Sequence, residues 1–286
     1  MDEIRIGIIG GSGLYEIDGL VEIDRVFPDT PYGKPSAPII IGTFNGEEIA
    51  FLPRHGVGHS LSPSEIPNRA NIYSLKSLGV QRLVSVSAVG SLREDIQPLD
   101  MVIPDQLIDR TKSRASTFFE SGIVAHISFA EPFCTDLRKS IKDATSRSDA
   151  RFHDRGTYVV IEGPQFSTKA ESLLYREWSC DIIGMTALPE AKLAREAEMC
   201  YAVLACATDY DCWHDSEQVV TVDMVIANLL RNVEVSKSII RDLVSNISKA
   251  RSCNCGNALE NAIITSPAFI DVEAKKRLGL LINRYI

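Results

Sequence analysis

The stretch "YAVLACATDYDCW", residues 201–213, decides the reading of this chain. Its first seven residues carry no charge and are apolar or small, as in a strand buried on both faces. Two carboxylates then arrive one residue apart, Asp209 and Asp211, among aromatic residues. The two-residue period of a strand puts both on the same side as the strand ends. Such a pair can be a metal site, a proton device or two solvated loop residues. A metal would need further hard oxygen ligands, and the neighbouring sequence shows no such set. As a proton device the pair makes sense. An acid beside a second carboxylate, partly buried, holds its proton more tightly. It can then protonate a ring nitrogen of a leaving base while its neighbour accepts from an amine.

Working outward, "LPEAKLAREAEMC" (188–200) reads as a helix leading into that strand, with Pro189 in its first turn. Its Glu190 and Glu196 are spaced for support from Lys192 and Arg195. "IRIGIIG" (4–10), "QRLVSVSAVGS" (81–91) and "TYVVIEGP" (157–164) read as further strands. "APIIIGTFNGEEIAFLPR" (37–54) reads as a hairpin turning at Asn45-Gly46. "NRANIYSLKSLG" (68–79) is a helix ended by Gly79, and residues 222–247 form a long amphipathic helix. Strands alternating with helices predict an α/β fold. We expect a single domain over residues 1–286, with a twisted, largely parallel central sheet flanked by helices and a helical tail over about 257–286.

The net charge of −8, with no Lys/Arg cluster interleaved with aromatics, argues against nucleic acid or an anionic membrane surface as partner. No apolar run approaches the ~18 residues of a membrane span. The start lacks the pattern of a signal peptide. Seven cysteines, an odd number mostly scattered singly, read as buried reduced thiols, and the expected location is cytoplasmic.

The remaining chemistry-bearing strings each fall just past a predicted strand, the edge where open α/β sheets bind ligands. "GGSG" (10–13) can cradle phosphate with backbone N–H groups, or be a plain tight turn; it matches neither a dinucleotide fingerprint nor a Walker loop. In "PRHG" (53–56), Arg54 offers a planar fork suited to phosphate and His55 a further donor. The plain alternative is a surface ion pair and a packed imidazole. Ser87 lies in "VSVSAVGS" (84–91), beside small residues that allow close approach of a ligand. Thr186 in "GMTALPE" (184–190) is an anion site, a helix cap, or both. Cys253-x-Cys255 is too little for a structural zinc site, which wants four ligands. It reads as plain thiols, so no metal is expected.

Taken together, eight strings in order resemble the methylthioadenosine phosphorylases of the purine nucleoside phosphorylase superfamily: "IGGSGLY", "TPYGKPSAP", "RHG", "ANIYSLKSLG", "SAVGSLRE", "IEGPQFSTKAES", "GMTALPEAKLAREAEMCYA" and "ATDYDCW". The resemblance covers most of the chain. It implies phosphate-dependent cleavage of 5′-methylthioadenosine to adenine and 5-methylthioribose 1-phosphate, in purine and methionine salvage. Inorganic phosphate is then a co-substrate, and no cofactor is implied. Phosphate is held by Ser12, Arg54, His55, Ser87, the Ala88 backbone and Thr186. Met185 lines the ribose and Phe166 stacks on the base. Asp209 serves purine N7 and Asp211 the 6-amino group. Val222 and Val225 line the 5′-methylthio pocket, and His126 reaches it from a neighbouring subunit of a homotrimer, with a homohexamer also open. Ser87 stands where the family often has Thr, and it keeps the hydroxyl.

The rivals are a phosphorylase for 6-oxopurine nucleosides or methylthioinosine, a non-catalytic nucleoside binder and a dehydrogenase. The sister enzymes that prefer 6-oxopurines carry Asn where Asp209 stands, and an amide can donate to N7 and pair with O6. Asp209→Asn is therefore expected to shift preference from adenine toward 6-oxopurine nucleosides. Unchanged preference in side-by-side rate measurements would remove Asp209 from base recognition.

Overall fold

The computed structural model describes residues 6–11, 14, 19–214 and 222–286, with the backbone alone at 222–225 and 229. Along the chain run β1 (Ile6–Gly10), β2 (Val21–Val26), β3 (Ile39–Phe44), β4 (Glu47–Pro53), α1 (Asn68–Ser77), β5 (Arg82–Ser91), β6 (Met101–Val102), β7 (Gln106–Arg110) and α2 (Thr135–Thr145). There follow β8 (Phe152–His153), β9 (Thr157–Ile161), α3 (Lys169–Glu177), β10 (Ile182–Gly184), α4 (Ala187–Glu196), β11 (Cys200–Tyr210), α5 (Val222–Asn246) and α6 (Val272–Ile282).

One sheet holds the described strands in the order β2-β3-β4-β1-β5-β10-β9-β7, with β11, β6 and β8 branching from β5. The sequence explains its centre. β5 and β11 are almost wholly buried; β11 runs apolar as far as Ala207, while β5 alternates valine with Ser85 and Ser87, both of which are buried. They pair in parallel along their length, from Arg82–Cys200 to Ser91–Tyr210. Alternate residues of β11 feed two cores. Tyr201, Val203, Ala205 and Ala207 join α1 and α4 on one face. Ala202, Leu204 and Cys206 join α2 and α5 on the other. Each fully buried Val or Leu contributes roughly 1.5–3 kcal/mol of transfer free energy.

The sheet is mixed. The β3–β4 hairpin turns at Asn45 (φ 51°) and Gly46 (φ 80°) as the sequence predicts. Beyond that hairpin, β2 also runs antiparallel to β3, β10 to β5 and β6 to β11. The parallel expectation holds for the central strands β4, β1, β5 and β11. The tail is helical over α6 and two short 3₁₀ turns.

The 188–200 helix departs from expectation in a way that matters for function. Leu188 has extended backbone (φ −117°, ψ 137°), so regular helix starts after it. Glu190 and Glu196 do not pair with Lys192 and Arg195; both carboxylates are buried. Glu196 accepts from Thr117 Oγ1 (2.7 Å) and the Phe118 N–H (2.6 Å). Lys192 instead reaches Asp109 (2.6 Å), and Arg195 reaches the Glu131 carbonyl (2.5 Å). Helical spacing made the local pairs available, but the face of α4 carrying Glu190 turns inward against the sheet.

Candidate active site

β11 does not run straight into its carboxylates. Its register against β5 slips between Ala207, opposite Val89, and Asp209, opposite Gly90, so that Thr208 is an extra residue. Such a bulge re-aims the side chains beyond it. Two asparagines of α5 satisfy the carbonyls there: Asn228 Nδ2 donates to Thr208 O (2.7 Å) and Asn232 Nδ2 to Ala207 O (3.1 Å). Asp209 and Asp211 are 8% and 6% exposed. Thr208 Oγ1 donates to Asp209 Oδ2 (2.7 Å), and Ser167 Oγ donates to Asp211 Oδ2 (2.7 Å). Gly90 makes room for both acids. A methyl group there would lie 3.1 Å from Asp209 Oδ1 and 3.3 Å from Asp211 Cβ. Burial pushes Asp209 up to about 6; the Thr208 bond opposes the shift and the Asp211 charge adds to it.

The antiparallel pairing of β10 supplies the second half of the site. Ile183 lies opposite Gly90 and Ile182 opposite Ser91. Continued past Gly184, the same register brings Thr186 to Ser87, and their hydroxyl oxygens are 2.7 Å apart. Two hydroxyls and the adjoining Ala88 thus share the edge where β11 delivers its carboxylates. Met185, between them in sequence, is half-buried. A methyl group on Gly163, which has φ 67°, would come within 2.5 Å of Met185 Sδ, so only glycine fits that crossing. Arg114 ties the two segments together, donating to the carbonyls of Met185 (2.6 Å), Leu188 (2.6 Å) and Glu162 (2.5 Å). Phe166 precedes Ser167, the residue that holds Asp211, and its ring is 53% exposed.

Arg54 is the main departure from the sequence reading, which allowed only a surface ion pair as the alternative to a phosphate fork. Its side chain is buried and its donors face inward. Nε bonds Glu190, Nη1 donates to Val86 O (3.1 Å), and Nη2 donates to Ser85 Oγ (2.6 Å) and lies 3.3 Å from Ile9 O. Glu190 Oε2 also accepts from Tyr201 Oη (2.9 Å) and Ser85 Oγ (3.1 Å). His55 differs as well. Its Nδ1 is 2.9 Å from the Leu61 carbonyl and must carry the hydrogen toward it. Burial and the Arg54 charge push its pKa down to about 4. The ring is then neutral, and Nε2 offers a lone pair rather than the expected donor.

Ser12 lies outside the described residues, as do the side chains of Val222 and Val225 at the start of α5. His126 is exposed, its backbone N–H bonded to the Ala262 carbonyl (2.9 Å), and among the described residues nothing ties it to the carboxylates. Sequence reasoning left Glu190, Ser85, Tyr201, Thr208, Ser167 and Arg114 without a role in the site. All of these but Arg114 lay inside strings already singled out; only their three-dimensional partners reveal the part they play.

One buried acid poised near neutrality beside a second buried carboxylate, with paired hydroxyls on the strand-end edge of an α/β sheet, suits a protein that handles an anion together with a basic leaving group. The chain belongs to the phosphorylase superfamily, whose family model matches residues 5–245. It is 53% identical over 283 residues to the S-methyl-5′-thioadenosine phosphorylase of Koribacter versatilis, covering 99% of this chain and 97% of that one. It is 54% identical to the enzyme of that name from Geobacter sulfurreducens, covering 98% and 99%. A methylthioadenosine phosphorylase from an antarctic soil metagenomic library superposes with a TM-score of 0.92 at 51% identity, over 99% of this chain and all of that one. A variant of the Schistosoma mansoni adenosine/methylthioadenosine phosphorylase, in complex with methylthioadenosine, superposes at 0.82 with 35% identity, over 89% and 95%.

Two predictions follow from the geometry. Arg54→Ala strands Glu190 as a buried, unpaired carboxylate and should lower unfolding stability in urea by ~3–5 kcal/mol. Removing both charges (Arg54→Met with Glu190→Met) should recover much of that loss, and a fully stable single variant would contradict the ion-pair account. If Asp209 acts as an acid, kcat/KM should fall as pH rises through about 6, because its protonated form is then lost. That limb should be absent in Asp209→Asn; a flat profile for the parent over about pH 5–8 would exclude the role.

Proposed function

We propose that this chain cleaves 5′-methylthioadenosine with inorganic phosphate, giving adenine and 5-methylthioribose 1-phosphate for purine and methionine salvage. The observation that carries the reading is the buried carboxylate pair, with Asp209 holding its proton up to about 6. A purine leaves a sugar readily only if charge arriving on the ring is neutralised. Asp209 donates to N7 as the N9–C1′ bond breaks, and Asp211, fixed by Ser167, accepts from the 6-amino group. An acid so placed is worth roughly 10²–10⁴-fold in rate.

A phosphate oxygen attacks C1′ as the bond electrons pass to the purine. The ribosyl group passes through an oxocarbenium-like state, which the phosphate anion stabilises from close range. Ser87 and Thr186, with the Ala88 N–H and Ser12, donate to the phosphate oxygens. His55 Nε2 accepts from a phosphate hydroxyl. Arg54, its charge balanced by Glu190, fixes the strand ends that form the cradle. Met185 lines the ribose, Phe166 covers the base, and Val222 and Val225 face the methylthio group. His126 of the partner subunit completes that pocket in a homotrimer. No cofactor takes part in the reaction.

The setting is cytoplasmic, in keeping with seven unpaired thiols. Among the described residues no helix is long and apolar enough to cross a membrane. Asp209 favours this reading over a 6-oxopurine phosphorylase.

The test is to incubate the protein with methylthioadenosine, adenosine, inosine and methylthioinosine, each with and without phosphate, and to separate the products by chromatography. Phosphate-dependent adenine release that outpaces the 6-oxo substrates is expected. Faster cleavage of inosine or methylthioinosine would overturn the base assignment, and no cleavage at all would overturn the enzymatic reading.

A further inference from the structure

At the other end of β11 the structure assembles something that the sequence does not display. Cys200 opens the strand. Cys134 caps the N-terminus of α2, and its N–H donates to Tyr201 O (2.8 Å). Cys253 and Cys255 arrive from the segment after α5, the latter within a 3₁₀ turn over Asn254–Asn257. All four sulfur atoms lie within 4.8 Å of one another, and Cys200 and Cys253 are 3.3 Å apart. Three of the four residues are buried and Cys253 is half-buried.

We propose that Cys134, Cys200, Cys253 and Cys255 form a tetrathiolate site for a soft divalent cation, zinc in the first instance. The argument is geometric. Zinc–sulfur bonds of ~2.3 Å in a tetrahedron set the sulfur atoms ~3.8 Å apart. The separations here bracket that value, so closure needs movements of an ångström or less. Four thiolate donors are the set that favours zinc over harder cations. The pair Cys253-x-Cys255 offers two ligands; folding adds Cys134 and Cys200 from distant parts of the chain.

The surroundings suit thiolates. Leu137 N–H points at Cys134 Sγ (3.5 Å). Binding exchanges four thiol protons for one cation and leaves a net charge of about −2 on the cluster. Arg82 lies opposite Cys200 in the ladder and donates to Ala250 O (2.8 Å), and Arg251 donates to Glu198 O (3.1 Å). The segment before Cys253 is also held by Ser252 Oγ, which donates to Asp136 Oδ2 (2.6 Å).

The site is structural. Cys200 and Asp209 are separated by most of a strand that rises ~3.3 Å per residue, or about 30 Å. A metal there joins three chain segments, the start of β11, the head of α2 and the segment leading to the tail, and adds nothing to purine chemistry.

The test uses the full chain, expressed with added zinc and isolated with its thiols protected. About one zinc per chain is expected by elemental analysis. Replacement by cobalt should give the intense thiolate charge-transfer absorption and visible bands of a tetrahedral cobalt site. Cys253→Ser with Cys255→Ser should abolish both signals, whereas Cys180→Ser, away from the cluster, should keep them. The cobalt spectrum of the parent stands even if a cysteine variant fails to fold. Three results overturn the proposal: metal-free protein with four free thiols after zinc and cobalt addition, disulfides among these cysteines in the freshly isolated chain, or zinc that persists in the double variant.

Discussion

Arg54 and Glu190 form the bond on which the strand-end edge depends. Arg54 leaves β4, and its guanidinium reaches carbonyls of β1 and β5 and the Ser85 hydroxyl; Glu190 brings in α4, and Tyr201 brings in β11. Stripping two charges of water costs several kcal/mol each, and only dense hydrogen bonding offsets that. Here the offset is supplied by groups of three elements, β1, β5 and β11, while the charges themselves come from the end of β4 and from α4. The pair therefore fixes how those elements meet rather than adding general stability. Every residue proposed to touch phosphate sits on a segment that this bond holds in place or on one adjoining it.

The same edge gives two chemically identical acids different surroundings. Desolvation raises the hold of Asp209 on a proton, against the opposing bond from the Thr208 hydroxyl. Asp211 receives the Ser167 hydroxyl from another loop. In the proposed reaction a donor and an acceptor, side by side, match the adjacent N7 and 6-amino positions of adenine, so that recognition and leaving-group activation come from one pair of side chains.

The central strands were legible in the sequence because β5 and β11 carry runs of apolar and small residues and end in glycine, serine and aspartate. The carboxylate pair was legible because charge so close to a buried run is expensive and stands out. Thr186 and Ser87 could each be flagged, but not their contact, which depends on β10 running antiparallel to β5; three residues carry no signal of direction. Glu190 was misread because its helical spacing to nearby cations suited a solvent-facing helix equally well. The four cysteines were legible only as singles and one pair, since local sequence does not report which distant segments meet at the foot of a strand.

The bulge at Thr208 gives the proposed base-reading position an unusual dependence on chain length. Deleting one residue there would restore an unbroken ladder and turn every later side chain to the opposite face. Both acids would leave the strand-end site together, whatever their identity. Letter changes at position 209 carry no such penalty. The strand is thus open to drift in base preference one side chain at a time, while its count of residues is locked by the fold.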